Sequence, residues 1–456
     1  MKFEGYMMNK LRNKLIQFFV TTLIPLSFFI LAGCGGGSGS AGPSLSPTTQ
    51  NQIDTLIQAF MATKGVTAGS ITVMNGGNVL YDKSYGYQDS VSSVSIVNDP
   101  LMVTASIVKP LTAATVQNLA SAGTLSLSDH VFCTGANAHC WLTVVDPAGT
   151  TLSGTTGPGA HFNGSGYSDI TIQQLIDHEG GWDRTLQTCR NAAQYATIGG
   201  VANPTPCDPM IQEYLIQQTL HAAFPANFTA TQLPTQMNDI YYWVTQNALD
   251  HTPPGTVQSY SNFGYMLLTA IVAKASNLAT DYNTYIYNTM LSPLGISSSD
   301  FGTFTFSPSA GSAQALRTPY MSTAQPCPSI YPANNGQQVL GTAQGCLNPV
   351  NWVGAATTLA TSKTMSKVAS IFKIDNTNDF NSTVNPSLDG PNNGKLLNST
   401  TNSGVHYGDL PGVTNILRQL TSGTSYTIML NKDNQGGTWQ SSLYPQIDTI
   451  LSNGGY

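Results

Sequence analysis

Charge is what this 456-residue chain has least of. Only 9% of its residues are Asp, Glu, Lys or Arg, against about 25% in an ordinary soluble protein. Glutamate is nearly missing: Glu4, Glu179 and Glu213 are the only three. The 17 Lys and Arg stand against 23 Asp and Glu, for a net charge of −6. No basic run is present that would neutralise a row of phosphates, which argues against nucleic acid as a partner. Scarce charge together with scarce apolar residues would mean disorder, but 41% hydrophobic residues suffice for a core. Two hydrolase machineries are also lacking. Gly36-Gly37-Ser38-Gly39-Ser40 fails at the last position of Gly-x-Ser-x-Gly, and His178-Glu179 is not followed by the second His of a zinc-peptidase helix. Cysteine and histidine do not fall at zinc spacing, so neither a metal nor a cofactor is expected.

What is present begins with an address. Lys10, Arg12 and Lys14 lead into Leu15 to Leu31, apolar apart from Gln17, two Thr and one Ser. A basic start, an apolar stretch and a small-residue exit describe a secretory signal over residues 1–33. Its ending, Leu31-Ala32-Gly33-Cys34, resembles the lipobox of bacterial lipoproteins. That likeness implies lipidation of Cys34 and a membrane partner reached through the N-terminal lipid. The protein would then be exported to the periplasm or cell surface, with Gly35 in place of a retaining Asp hinting at the outer membrane. Residues 34–50, rich in Gly, Ser and Pro, read as a flexible tether. The six cysteines beyond Cys34 allow 15 pairings. Sequential pairing, Cys133–Cys140, Cys189–Cys207 and Cys327–Cys346, closes three short loops and is preferred.

From residue 51 onward the pattern is mixed. Ile53, Leu56, Ile57, Phe60 and Met61 fall at helical spacing within Asn51 to Lys64. Gly69 to Tyr87 alternates around Asn75-Gly76-Gly77-Asn78, a hairpin. Helices are predicted over Ser106 to Ala122, Ile170 to His178, 209–224, 235–249, Phe263 to Ala275, Tyr282 to Leu291 and Thr361 to Ile374. The end reads strand, turn at Ser422-Gly423, strand over Tyr426 to Leu430, then a helix from Ser441 to Leu451. Strands at both ends around a helical middle predict an α/β (α+β) body over about 51–130 and 300–456, with a mostly helical lobe over about 131–299. A cleft between two such parts is a usual ligand site.

Ser106-Ile107-Val108-Lys109 places a hydroxyl and an amine on one helix face. A buried amine loses part of its affinity for a proton and so becomes a base for the hydroxyl. Pro110 is tolerable there only if the helix has just begun, and the dipole at that end favours developing negative charge. Ser370-Ile371-Phe372-Lys373 has the same form with nothing assembled around it, and reads as a surface pair. Ser106 keeps better company, with Tyr260-Ser261-Asn262 and then His406-Tyr407-Gly408 downstream.

These three motifs, in this order, resemble the serine β-lactamase and penicillin-binding protein superfamily. The branch is that of class C β-lactamases, D-alanyl-D-alanine peptidases and family VIII carboxylesterases. Leu175-Ile176-Asp177-His178-Glu179-Gly180-Gly181 looks like its "LLTHTSG", and Pro293-Leu294-Gly295-Ile296 like its "PLGM". The resemblance covers 51–456 and implies one β-lactamase/transpeptidase-like hydrolase domain with an antiparallel sheet drawn from both chain ends. It implies Ser106 as acylated nucleophile and Lys109 and Tyr260 as proton carriers. Asn262 would orient Lys109 and the substrate, and His406 would line the cleft beside it. The backbone N–H groups of Ser106 and of Asp409, next to Gly408, would form the oxyanion hole. The implied partner is a small-molecule or peptide acyl substrate. His-Tyr-Gly departs from the Lys-Thr-Gly of efficient β-lactamases, and a largely neutral His speaks against strong β-lactam turnover. A different reading keeps the fold as a non-catalytic wall-binding lipoprotein, with Tyr241-Tyr242-Trp243 as its contact.

Overall fold

Ser46 opens the first helix of the described chain. Its side chain accepts the Thr49 N–H at 3.1 Å and Pro47 follows inside the first turn, where a missing N–H costs nothing. Helix α1 (Pro47–Lys64) thus starts ahead of Asn51 and takes 47–50 out of the expected tether; it stops at Gly65, φ 64°. Gly76 and Gly77 adopt positive φ and turn β1 (Ala68–Asn75) into β2 (Asn78–Gly86) where the sequence placed the hairpin.

The computed structural model describes residues 43–372 and 404–456. Within them positions 90, 92, 134–138, 152–166, 183–196, 199–200, 203–212, 227–235, 247–252, 277–280, 306–311, 313, 315–316, 320, 322–325, 332–334, 341–344 and 435–437 are not described. Cys34, Cys189 and Cys207 therefore lie outside the described residues, as does the side chain of Cys327. Cys133 and Cys140 are bonded to each other as expected, and Cys346 is also disulfide-bonded. Among the described residues no helix is long and apolar enough to cross a membrane.

After β2, β3 (Met102–Val103) runs into a 3₁₀ turn, Ala105–Val108, and straight into α2 (Lys109–Ser121). The middle of the chain supplies β4 (His130–Phe132), β5 (Cys140–Leu142), α3 (Ile172–Ile176), β6 (Thr197–Ile198) and β7 (Val201–Ala202). It continues with α4 (Glu213–Ala223), α5 (Met237–Gln246), α6 (Asn262–Ala275) and α7 (Tyr282–Ile286). The helix expected through Leu291 changes after Ile286 to a wider π turn. Then come β8 (Phe301–Thr303), β9 (Pro326–Pro328), β10 (Gln338–Leu340), β11 (Thr358–Ala360) and α8 (Ser362–Ala369). The chain closes with β12 (Gly404–Leu410), β13 (Val413–Gln419), β14 (Thr424–Leu430) and α9 (Trp439–Asn453).

Five strands form one antiparallel sheet in the order β12-β13-β14-β1-β2. Gly69 lies opposite Leu430 and Asn75 opposite Thr424, so both ends of the chain meet in one layer, as expected. Ile71, Val73 and Ile428 pack from one face against Ile53 and Ile57 of α1 and Leu443, Ile447 and Leu451 of α9. The other face meets α8 through hydroxyls. Thr72 Oγ1 and Ser362 Oγ are 2.8 Å apart, Ser366 Oγ reaches Thr427 Oγ1 at 3.0 Å, and Ser425 Oγ donates to the Ser366 carbonyl at 3.1 Å. Here the scarcity of charge becomes structural: neutral polar groups satisfy one another in the interior without the desolvation cost of ions. A larger apolar cluster gathers α2, α6 and the 349–357 segment, with Leu111, Val116, Tyr265, Leu268 and Trp352 buried in it.

Asn415 of β13 ties the sheet to the chain before α2, its Nδ2 donating to the carbonyls of Val103 at 2.9 Å and Thr104 at 2.8 Å. Asn415→Ala leaves both buried carbonyls without this donor. It is expected to lower the unfolding free energy by about 2 kcal/mol, read as a fall in urea midpoint at unchanged slope.

Candidate active site

Ser106 and Lys109 do not share an α-helical face. Ser106 lies within the 3₁₀ turn, in which positions i and i+3 eclipse, and Lys109 follows directly after it, which sets Lys109 Nζ 3.0 Å from Ser106 Oγ. The residue before the serine, Ala105, has φ 47°, a conformation that costs a non-glycine residue roughly 1–3 kcal/mol. Its surroundings hold it there. The Thr104 N–H and Oγ1 both bind the Thr358 carbonyl, at 2.8 and 2.9 Å, Asn415 grips from the other side, and Leu101, Val103, Phe304 and Val413 pack around Ala105.

Lys109 is fully buried. Its amine donates to Ser106 Oγ, to Asn262 Oδ1 at 2.9 Å and to the Ala355 carbonyl at 2.6 Å. It also lies 4.8 Å from the Tyr260 ring centroid and 5.7 Å from that of Tyr265, close enough for cation–π attraction. Asn262 is placed by its neighbour: Ser261 caps α6, its hydroxyl accepting the Gly264 N–H at 3.0 Å. Tyr260, just before the cap, points its hydroxyl at Ser106 Oγ, 2.6 Å away. The structure thus brings Ser106, Lys109, Tyr260 and Asn262 together.

His178 is the residue whose part the sequence did not reveal, although its segment stood out by likeness. Its carbonyl accepts the Ser259 N–H at 2.8 Å and its Nδ1 accepts the Ser261 N–H at 2.9 Å. The Tyr260 segment is therefore held at two points. Nδ1 must be bare to accept, so a neutral ring carries its proton on Nε2. The imidazole lies 4.6 Å from the Tyr260 ring and 4.9 Å from that of Tyr265.

The third motif approaches from the sheet edge. A Cβ on Gly408 would come within 2.7 Å of the Thr104 carbonyl oxygen and 3.2 Å of the Ala105 Cβ, so only glycine lets β12 lie against the turn that carries Ser106. His406, two residues earlier, shares its strand face but has no exposed surface. Nδ1 lies 3.0 Å from the Tyr407 carbonyl and so carries the proton, while Nε2 has no hydrogen-bond partner among the described residues. Burial, with the Lys109 charge second, pushes the imidazole down to about 3, so it is neutral at pH 7. The Asp409 carboxylate accepts from Thr414 Oγ1 at 3.1 Å and from the Asn434 N–H at 3.4 Å. Burial beside Asp433 raises it to about 6. Ser370, the decoy, donates its hydroxyl to the Lys367 carbonyl, and Lys373 lies outside the described residues.

A family profile described as Beta-lactamase matches residues 53–440. The chain belongs to that family. Protein flp of Staphylococcus aureus (strain NCTC 8325 / PS 47) is 25% identical over 258 residues, which are 56% of this chain and 39% of flp. The chain thus matches well under half the length of that relative. Among solved structures, the D-amino acid amidase of Ochrobactrum anthropi SV3 superposes with TM-score 0.55 at 15% identity, over 89% of this chain and 98% of the amidase. A class C β-lactamase does so with TM-score 0.53 at 13% identity, over 89% of this chain and 96% of the other. Those identities speak to the fold: mixed α/β, of the β-lactamase/transpeptidase kind. Membership places the chain in a superfamily of serine hydrolases.

Two outcomes follow. Gly408→Ala must displace β12 from Thr104, and a shift approaching 1 Å beside a reacting atom costs up to about 100-fold. Its kcat/KM on any substrate is expected to fall at least about tenfold, with the melting temperature as control. His406 titrates lower in the folded chain, about 3, than its ordinary 6.5, so between those values the unfolded chain binds the extra proton. Stability contributed by the neutral ring is fully present above pH 6.5 and is lost as pH falls toward 3. Urea midpoints should drop more steeply with acid in the wild type than in His406→Gln.

Proposed function

We propose that this protein is a serine acyl hydrolase working through a covalent acyl-enzyme on Ser106, with esters and amides, D-alanyl peptides included, as its substrate class. The observation that carries the reading is the position of Ser106 Oγ, 2.6 Å from the Tyr260 hydroxyl and 3.0 Å from the Lys109 amine. In this reading Oγ attacks the acyl carbonyl while its proton passes to the Lys109–Tyr260 pair. Tyr260 returns a proton to the departing alkoxide or amine. Water then enters and gives a proton to Tyr260 as its oxygen bonds to the acyl carbon; Tyr260 passes that proton to Ser106 Oγ as the ester bond to the serine breaks, and the acyl group leaves as a carboxylic acid. Asn262 holds Lys109 in register. The backbone N–H groups of Ser106 and Asp409 are assigned to the oxyanion, where the negative charge develops.

The neutral, buried His406 supports ester and amide cleavage over strong β-lactamase action. A β-lactam carries a carboxylate that a fixed cation would hold, and an imidazole pushed down to about 3 offers none at pH 7. The family relationship and the fold shared with an amidase are consistent with this. The lipobox likeness at Cys34 and the disulfide between Cys133 and Cys140 support export to an oxidising compartment, with a lipid anchor at the membrane.

Intact mass after incubation with benzylpenicillin, run beside p-nitrophenyl ester hydrolysis, tests the assignment. Ser106→Ala is expected to lower ester turnover at least about 1,000-fold and to abolish any penicilloyl adduct. A wall-binding lipoprotein without turnover would show no hydrolysis in either form. Penicillin hydrolysis at the rate of a dedicated class C enzyme would overturn the preference for esters and amides.

A further inference from the structure

One buried ionisable group has no part in the chemistry above. Glu213, the first residue of α4 and one of three glutamates in the chain, is 1% exposed. Its carboxyl receives three N–H donors. Oε2 accepts the Asn348 backbone N–H and the Trp352 indole N–H, both at 3.0 Å, and Oε1 accepts from Asn351 Nδ2 at 2.9 Å. Burial pushes this carboxyl up to about 8 while the three donors pull the other way. All three partners lie at or within a single 3₁₀ turn, Pro349–Trp352.

That turn runs without a break into the π turn Val353–Thr357, and there the chain meets the catalytic helix. The Gly354 carbonyl accepts Thr112 Oγ1 and the Ala355 carbonyl accepts Lys109 Nζ, each at 2.6 Å. Gly354 is pressed so closely that a Cβ there would stand 2.8 Å from the Tyr282 ring. The segment is thus clamped between α2 and α7 on one side and Glu213 on the other. Trp352, fully buried, stands three residues before Ala355 in the same continuous pair of turns, so little slack can absorb a movement at Glu213.

We propose that Glu213 is a positioning residue for catalysis, fixing through Trp352 and Asn351 the Ala355 carbonyl that orients the Lys109 amine on Ser106. This rests on the reading of Ser106 as nucleophile. The competing role is a staple that holds the fold and nothing more. A staple would alter melting temperature and the fraction of working sites, but not the turnover of each site.

The test measures p-nitrophenyl butyrate hydrolysis by the full chain. Working sites are counted by mass-resolved fluorophosphonate labelling, in which Ser106 Oγ bonds to phosphorus and fluoride leaves. In Glu213→Leu, kcat per labelled site is expected to fall about 10- to 100-fold, the range for a small misplacement beside the chemistry, with KM within about twofold. Glu213→Gln should recover to within about threefold, because its carbonyl keeps Asn348 and Trp352 and the Asn351 amide can turn to face its NH₂. Trp352→Phe, which removes the indole donor together with part of the ring's buried volume, should lose about threefold or more in kcat per labelled site. Unchanged kcat per site in Glu213→Leu, while Ser106→Ala is inactive, overturns the Glu213 role alone. If Glu213→Leu does not fold, wild-type kcat in Trp352→Phe overturns it instead. Hydrolysis by Ser106→Ala at the wild-type rate would sink the nucleophile assignment and the Glu213 role with it.

Discussion

Everything in this site depends on burying one amine. Lys109 is among the largest side chains with no exposed surface, and a buried ammonium without partners costs several kcal/mol. Its nitrogen meets three acceptors, each in a different part of the chain: its own 3₁₀ turn, the start of α6, and the turn before β11. Two tyrosine rings stand nearby. A displaced element would leave a buried donor without its acceptor. The penalty for that forces the nucleophile, the Tyr260 segment and the 353–357 turn into register. Fold stability and catalytic geometry are therefore the same requirement at this point.

The sheet serves that requirement from a distance. β12 lies against the nucleophile turn because position 408 has no side chain, and β13 reaches the same turn through Asn415. The strain at Ala105 persists because strand, cap and apolar packing hold it from several sides. Hydroxyls join the sheet to α8, and the Thr72 hydroxyl in that layer also donates to the Asp82 carboxylate at 2.7 Å. The near absence of glutamate and the richness in Ser and Thr are two aspects of one interior.

Much of this was legible in the sequence, for reasons that can be named. Ser106 and Lys109 sit at a spacing that brings amine to hydroxyl, Tyr260 and Asn262 stand out by likeness to a known family's motif, and the hairpin at Asn75–Asn78 has the glycines its turn needs. The apolar period found α1, α2 and α6 but missed the start at Pro47, where a Ser cap and a proline decide and apolar spacing has no say. The neutrality of His406 was expected of an ordinary histidine, but its complete burial beside Lys109, which fixes that neutrality, follows from packing and not from any neighbouring letter. The Ala355 carbonyl was hidden more deeply, since a backbone oxygen leaves no mark in a sequence. His178 and Glu213 act through partners many positions away, and that distance masks their roles.

The pairing of β1 with β14 has a consequence for how the protein is made. The strand that begins the sheet has no neighbour on one side until residues 424–430 exist, and contacts so remote in sequence form slowly. A chain emerging from its N-terminus must therefore carry its first hairpin, and the serine that follows, unsupported until nearly the last helix has been delivered. The interval leaves strand edges open to other chains and to proteases.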